Sequence, residues 1–346
     1  ADLRNFQFRV EKMKLKFYIL LLSVISFIEV KAQDPVFTQF LLLPETLNPA
    51  FTGSASSWNA GIIHRRQWPK GNRRIDTQYG FANNLVTDNL GVGITVLNQK
   101  ETFTNYNYFQ FNGAVSYRVD LNYNWRLRLG LEGGFGRKDF NFGNLLLEDQ
   151  ININDGSISG SSIDPGFLRY NNQINFVDFS FGVLVDEENA WFGAALKHLT
   201  RPDISFLENG NVPLDLFLSV HGGYYFALDN SPTMILPADT DLLVSFNYMR
   251  QSQFNRLDIG ASLEMNMFSF GVIAATNPEG RSTNSHLVTS LNPFVSMRAG
   301  EFKFGYSYDI NTSSFGQNQG VHELTLTWQS KYTCRDCDNY RMKLKD

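Results

Sequence analysis

The chain has 346 residues, of which 43% are hydrophobic, 14% aromatic and only 18% charged, with a formal net charge of −4. Aromatic residues at this density can bury enough surface to offset the entropy of ordering, so a disordered chain is excluded. Two cysteines exclude a disulfide scaffold, a pI of 5.8 disfavours nucleic-acid binding, and a mean hydropathy of −0.23 excludes a helical membrane protein.

The first 32 residues are predicted to be an upstream extension, 1–12, followed by a secretory signal peptide. The longest apolar run, 17–28, is shorter than the roughly 20 residues of a spanning helix. It follows the basic segment Met13–Lys16 and precedes Ala32, after which we place cleavage. The alternative is a helix docked on a core. An exported, acidic chain with almost no cysteine is typical of a bacterial envelope protein.

The segment 33–56 is apolar without strand periodicity. Its Phe and Leu side chains cannot stay in water cheaply, because burying each one is worth about 1.5–3 kcal/mol. We therefore expect the segment to be ordered in the periplasm or the lumen, packed inside a barrel or on a partner. The sequence leaves open whether it plugs the lumen.

A period of two dominates the rest of the chain. In 125–138, Leu127, Leu129 and Leu131 share one parity, while Arg126, Arg128 and Glu132 take the other. Such long alternation predicts a transmembrane antiparallel up-and-down β-barrel over 57–329, with leucines toward lipid and charges toward the lumen. A soluble β-sandwich is disfavoured because its strands are usually shorter. The predicted strands, about 14, are 57–68, 74–84, 90–98, 106–119, 125–140, 174–185, 190–200, 214–228, 239–249, 254–264, 267–275, 286–298, 301–309 and 321–329.

The predicted connections alternate between short turns and longer, more polar loops, with 141–173 the longest and 229–238 an exception. Bacterial barrels have short periplasmic turns and long extracellular loops, so we expect both termini in the periplasm. The long loop is rich in apolar residues, so we expect it either to fold into the barrel mouth or to bind an exported protein at the cell surface. The candidate partner-binding residues are Leu145, Leu146, Leu147, Ile163, Phe167 and Tyr170.

Residues 330–346 form a basic tail that contains Cys334 and Cys337. A lone pair at this spacing is half a zinc site or a redox pair. We favour a mobile periplasmic tail, with or without a disulfide, that docks on an acidic partner.

Candidates for catalysis and metal binding are weak. Ser219 and His221 share a parity in one strand and could face the same side. A hydrolase also needs an orienting group within reach of such a pair. We therefore favour a hydrogen-bond network in the lumen and predict no enzyme. Four side chains of the long loop have oxygen ligands for calcium without EF-hand spacing, and a solvated loop is favoured. These are Asp149, Asn152, Asn154 and Asp155. We expect no cofactor.

Five short motifs occur in order along the mature chain. A Gln-Asp-Pro start at 33–35 precedes Asn48–Gly53, which reads Asn-Pro-Ala-Phe-Thr-Gly, and then Arg65–Trp68. Near the end come Gly305–Asp309 and Val321–Glu323. Together they resemble the PorP/SprF family of the type IX secretion system, in which a Ser is more usual at the position of Val321. The motif residues singled out are Asn48, Pro49, Arg66, Gln67, Trp68, Tyr306, Tyr308, Asp309, His322 and Glu323.

The resemblance implies an outer-membrane barrel of gliding bacteria of the Bacteroidetes type. It implies secretion components as partners on the periplasmic side, and a secreted surface protein such as an adhesin outside. The expected function is to help export or anchor that protein. The alternative is a porin or transporter for small or hydrophobic solutes, since about 14 strands can enclose an open or a plugged lumen.

Overall fold

The computed structural model describes residues 34–69, 74–140, 146–153, 155–158, 160, 162–163, 172–228, 236–237, 240–279, 287–312, 320–331 and 342–345. The predicted leader at 1–32 lies outside them, as do Leu145, Asn154, Phe167, Tyr170 and both cysteines. Among the described residues, no helix has the length and apolar character that a membrane-spanning helix needs.

The alternating segments form fourteen antiparallel strands that close into one barrel, with β1 paired to β14. The strands are β1 Asn59–Gln67, β2 Ile75–Leu85, β3 Leu90–Glu101, β4 Asn107–Asp120, β5 Arg126–Asp139, β6 Gln173–Asp186, β7 Ala190–Lys197, β8 Phe217–Ala227, β9 Asp241–Gln251, β10 Phe254–Met265, β11 Phe268–Thr276, β12 Val288–Ala299, β13 Phe302–Asn311 and β14 Val321–Gln329. Every strand falls where the sequence predicts one, with ends within three residues, so the predicted fold is confirmed.

The predicted parity also holds in β5. Leu129 and Leu131 are exposed on the outer face of the barrel, whereas Arg126 and Arg128 are buried on the inner face. Each strand follows its neighbour in space, as up-and-down topology requires. Closure leaves no unpaired sheet edge, which is the condition for crossing a bilayer with strands.

The two ends of the barrel differ. The turn end holds the connections 86–89, 121–125 and 187–189, together with the start of β1 and the end of β14. The loop end holds the connections 102–106, 140–172 and 198–216. Part of the last connection folds over the lumen, because Ile204 and Leu214 pack with Tyr108 and Phe176.

Candidate functional site

The barrel lumen is occupied by the chain's own N-terminal segment, residues 34–57, which we call the plug. Its apolar side chains are almost fully buried, with Leu43 and Phe51 at 0% exposure. Two short 3-10 turns, Pro44–Thr46 and Pro49–Phe51, shape it. Proline at the first turn position presets the backbone and lacks an N–H that would otherwise need a partner. The segment was expected either in the periplasm or in the lumen, and in the structure it lies in the lumen.

The plug is held at the loop end by charge. His198, just beyond β7, contacts Asp34 Oδ2 through Nε2 at 2.6 Å and Asp178 Oδ2 through Nδ1 at 2.5 Å. Burial alone would lower the pKa of His198, but the two carboxylates outweigh it and raise the pKa to about 9. Burial would likewise raise the pKa of Asp34, yet His198 lowers it to about 2. The site is therefore an imidazolium between two carboxylates.

A second anchor lies where β1, β13 and β14 meet. The Glu323 carboxylate accepts hydrogen bonds from the backbone N–H groups of Thr38 and Gln39, each at 2.9 Å. Arg65 Nη1 pairs with Glu323 and, at 2.9 Å, with Asp309 Oδ2. The other Asp309 oxygen accepts from Thr38 Oγ1 at 2.8 Å. A buried arginine between two carboxylates thus fixes the backbone of the plug.

The third anchor is Asn48, which lies against Val183 near the turn end of β6. Its Oδ1 accepts from Ala50 N at 2.8 Å and begins the second 3-10 turn. Its Nδ2 donates to Val183 O at 2.9 Å on the barrel wall. The wall carries glycine here because the plug lies against its backbone. A Cβ at Gly182 would overlap Asn48, and one at Gly130 would overlap Ala50.

The plug crosses the whole lumen. Asp34 N also donates to Gln251 Oε1 at 3.0 Å at the loop end, whereas Gly53 N reaches Asn83 Oδ1 at 3.3 Å near the turn end. The first described residue, Asp34, and the end of β14 lie at opposite ends of the barrel, because the plug threads the lumen before β1 begins. The expectation that both termini are periplasmic stays a prediction.

The C-terminal residues close the turn end. Met342 is 2% exposed and packs in the cluster that contains Phe40 and Leu41. Lys343 donates its backbone N–H to Glu188 O at 3.0 Å, and its Nζ pairs with Asp241 at 2.9 Å. The described residues 342–345 therefore lie on the barrel's own acidic rim. Docking of the tail on an acidic partner stays a prediction.

The predicted motif residues divide between two faces of the barrel. Asn48, Pro49, Asp309 and Glu323 hold the plug or form part of it. Arg66, Tyr306, Tyr308 and His322 have the outward parity, where Tyr306 Oη contacts His322 Nδ1 at 2.9 Å and Arg66 pairs with Asp76 at 2.7 Å. Gln67 ends β1, and Trp68 follows with φ at 51°.

Sequence reasoning missed several anchors. Arg65 lies on the inward parity of β1, which is the signal that identifies it. His198 and Asp178 carry no local signal, since their partner Asp34 is 164 residues from His198 in the chain. Ser219 Oγ lies 3.1 Å from His221 Nδ1. Both side chains are buried, and the His221 ring contacts Phe51 of the plug.

The described part of the long loop is folded and displays apolar side chains. Asp149 Oδ2 accepts from Ser162 Oγ and from Ile163 N, both at 2.8 Å. Ile163 is 79% exposed and Leu146 is 51% exposed, whereas Leu147 is partly buried. No group of three or more potential metal ligands occurs among the residues that the structure describes. The loop and the motif residues do not converge on one site.

Comparison with known proteins places this architecture in a family. The barrel is similar to Omp33 of Acinetobacter baumannii (6% identity, 80% of this chain and 100% of that one, TM-score 0.44). It is also similar to the CymD monoaromatic hydrocarbon channel (11% identity, 88% of this chain and 95% of that one, TM-score 0.47). A third similar structure is a Pseudomonas aeruginosa FadL homologue (10% identity, 81% of this chain and 93% of that one, TM-score 0.41). No curated protein matches the sequence. Residues 29–328 match the family described as type IX secretion system membrane protein PorP/SprF, and the chain belongs to that family.

Proposed function

We propose that this protein is a plugged outer-membrane barrel that binds a secreted protein, such as an adhesin, at its loop end and helps to export or retain it at the cell surface. In this proposal the loop end faces outward and the turn end faces secretion components in the periplasm, as the lengths of the connections suggest. The observation that carries the proposal is the filled lumen.

The filled lumen favours binding over solute transport. One cavity beside the plug, lined by Pro35, Glu45, Glu132 and Lys197 among others, measures about 60 Å³. A water molecule needs at least about 10–15 Å³ of such volume, so this cavity holds only a few waters. A larger cavity of about 580 Å³ lies beside Leu41 and Leu42 at the turn end. A channel for organic solutes would need a continuous path of much larger section. The surfaces left for function are the two ends and the outer face.

The loop end offers an apolar surface that suits a protein partner. Ile153 is 91% exposed and Ile158 is 62% exposed, alongside Leu146 and Ile163 on the same folded loop. A bridge between Ile151 and Ile158 holds the loop in shape. Apolar side chains displayed together in water are typical of an interaction site.

The test removes this apolar surface and leaves the barrel intact. The variant carries Leu146→Ser, Ile153→Ser, Ile158→Ser and Ile163→Ser. The matched control carries Leu207→Ser and Val212→Ser, which are 42% and 45% exposed at the same end. The assay is quantitative mass spectrometry of exported proteins on washed cells and in the medium.

We expect normal barrel insertion in both variants and transfer of an exported protein from cells to medium in the loop variant alone. Unchanged retention in that variant would contradict the loop as the docking surface. Steady solute-selective conductance of the native protein in planar bilayers would contradict the plugged barrel and favour a porin.

A further inference from the structure

One strand of the barrel lacks the outer face that lipid requires. The outward positions of β2 carry no large apolar side chain, and none of its residues is an exposed large hydrophobic. Every other strand carries at least one, such as Ile62 on β1 and Ile94 on β3. The outward residues of β2 are Asp76, Gln78, Gly80, Ala82 and Asn84.

Neighbouring strands extend this polar surface. Gln78 Nε2 lies 3.1 Å from His64 Nδ1 on β1, and its Oε1 accepts from Asn98 Nδ2 on β3 at 2.9 Å. Nearer the loop end, Asp76 pairs with Arg66 at 2.7 Å and with Arg74 at 2.8 Å. The outward polar residues of β1–β3, together with Gly80 and Ala82, form what we call the polar stripe.

The fold does not require this composition. A Cβ added at Gly80 would meet only Gly61 O at 3.6 Å, an ordinary contact, so a larger residue fits without strain. A lipid-facing residue gains stability by being apolar, and acyl chains have no groups that hydrogen-bond to carboxamides. Contact with lipid therefore does not explain small and polar residues along the whole strand.

We propose that the polar stripe is a lateral docking surface for a different integral outer-membrane protein. Small residues let two membrane-embedded polypeptides approach closely, and polar side chains then hydrogen-bond across the contact. The partner presents acidic groups at the level of the loop end and small or polar groups at the level of Gly80 and Ala82. The contact needs no secreted protein, so it stands or fails independently of the proposed function.

Charge selects a different protein over a second copy of this chain. Among the described residues in or directly beside the stripe at the loop end, Arg66, Arg74 and Lys100 are basic and Asp76 is acidic. A two-fold axis along the membrane normal would bring these like charges together at one depth, which costs binding energy. Lipid phosphate groups could pair with the three basic side chains, but they would not account for the small and polar residues further along β2.

The test is photo-crosslinking in cells that hold the intact secretion machinery. A benzophenone amino acid replaces Ala82 on the stripe. In the matched control it replaces Val244, which faces outward on β9, seven strands away. We expect an adduct with another integral outer-membrane protein from position 82 and none from position 244.

Two further variants establish that the adduct reports this surface. Lys100→Glu reverses a charge at the loop end, and Gly80→Leu fills the close-approach position while leaving a lipid-compatible face. We expect each to lower the adduct yield about tenfold while the heat-modifiable mobility of a folded barrel is retained.

Three outcomes would overturn the proposal. The first is that position 82 crosslinks only to lipid, as the lipid-facing control position 244 does. The second is adducts between differently tagged copies of this chain. The third is an adduct whose yield is unchanged in both Lys100→Glu and Gly80→Leu, because such capture would not depend on the stripe. Loss of surface retention in the loop variant has no bearing on any of these results.

Discussion

Glu323→Gln tests the anchor that holds the plug. The native carboxylate accepts two backbone N–H groups at 2.9 Å and pairs with Arg65. Glutamine keeps the size and one carbonyl oxygen but removes the charge. Breaking a buried ion pair costs about 3–5 kcal/mol, and each hydrogen bond to a charged group is worth about 1.5–3 kcal/mol. Because Asp309 still pairs with Arg65, we expect a loss of about 3 kcal/mol.

Two assays measure this change. Urea unfolding of the protein in lipid vesicles gives the free energy, and limited proteolysis reports whether 34–57 leaves the lumen. Glu208→Gln, in an exposed loop, is the matched control and should stay within about 0.5 kcal/mol of the native protein. A released plug should also open current steps in a planar bilayer. Native stability with an equally protected plug would refute Glu323 as the anchor.

Two other predictions follow from the outer face and from the loop-end clamp. Leu129→Arg should cost about 2–4 kcal/mol in vesicle unfolding, whereas Leu146→Arg in the loop should cost little; equal costs would contradict a lipid-facing Leu129. His198 holds its proton to about pH 9 when folded and to 6.5 when unfolded. The protonated His198 therefore adds on the order of 3 kcal/mol to the free energy of unfolding. This stabilisation is complete below pH 6.5 and is lost as the pH rises through 9. In His198→Gln, unfolding between pH 6 and 9.5 should lose this slope; a slope equal to that of the native protein would exclude His198 as its source.

The sequence predicts the barrel well because burial on one side imposes a period of two. In β5, the alternation predicts that Leu129 faces outward and Arg128 faces inward, and the structure shows this arrangement. Closure and strand order follow from the short turns, since neighbours in sequence become neighbours in space. The outward face of β2 departs from this rule. The prediction of a strand at 74–84 succeeded there although the lipid-facing signal was absent.

The plug and its anchors were only partly predictable. Asn48, Asp309 and Glu323 were singled out through the family resemblance, but their common task required the fold. Thr38 and Glu323 are 285 residues apart in the chain, so no local pattern records their contact. The location of 33–56 was left open for the same reason. An apolar segment without periodicity indicates burial but does not say against what.

The barrel and its plug satisfy each other's polar groups. Inward charges such as Arg65 and Glu323 would be hydrated in an open lumen, but the plug excludes water from them, so each needs a partner. In return, the wall accepts backbone N–H groups that a segment without regular structure cannot pair internally. Removing the plug would replace these direct pairs by hydrogen bonds to water and would break the contacts that hold the plug and the wall together. This mutual dependence argues that the filled state is the working state, and that partners meet the protein on its loops, its turn end or its outer face.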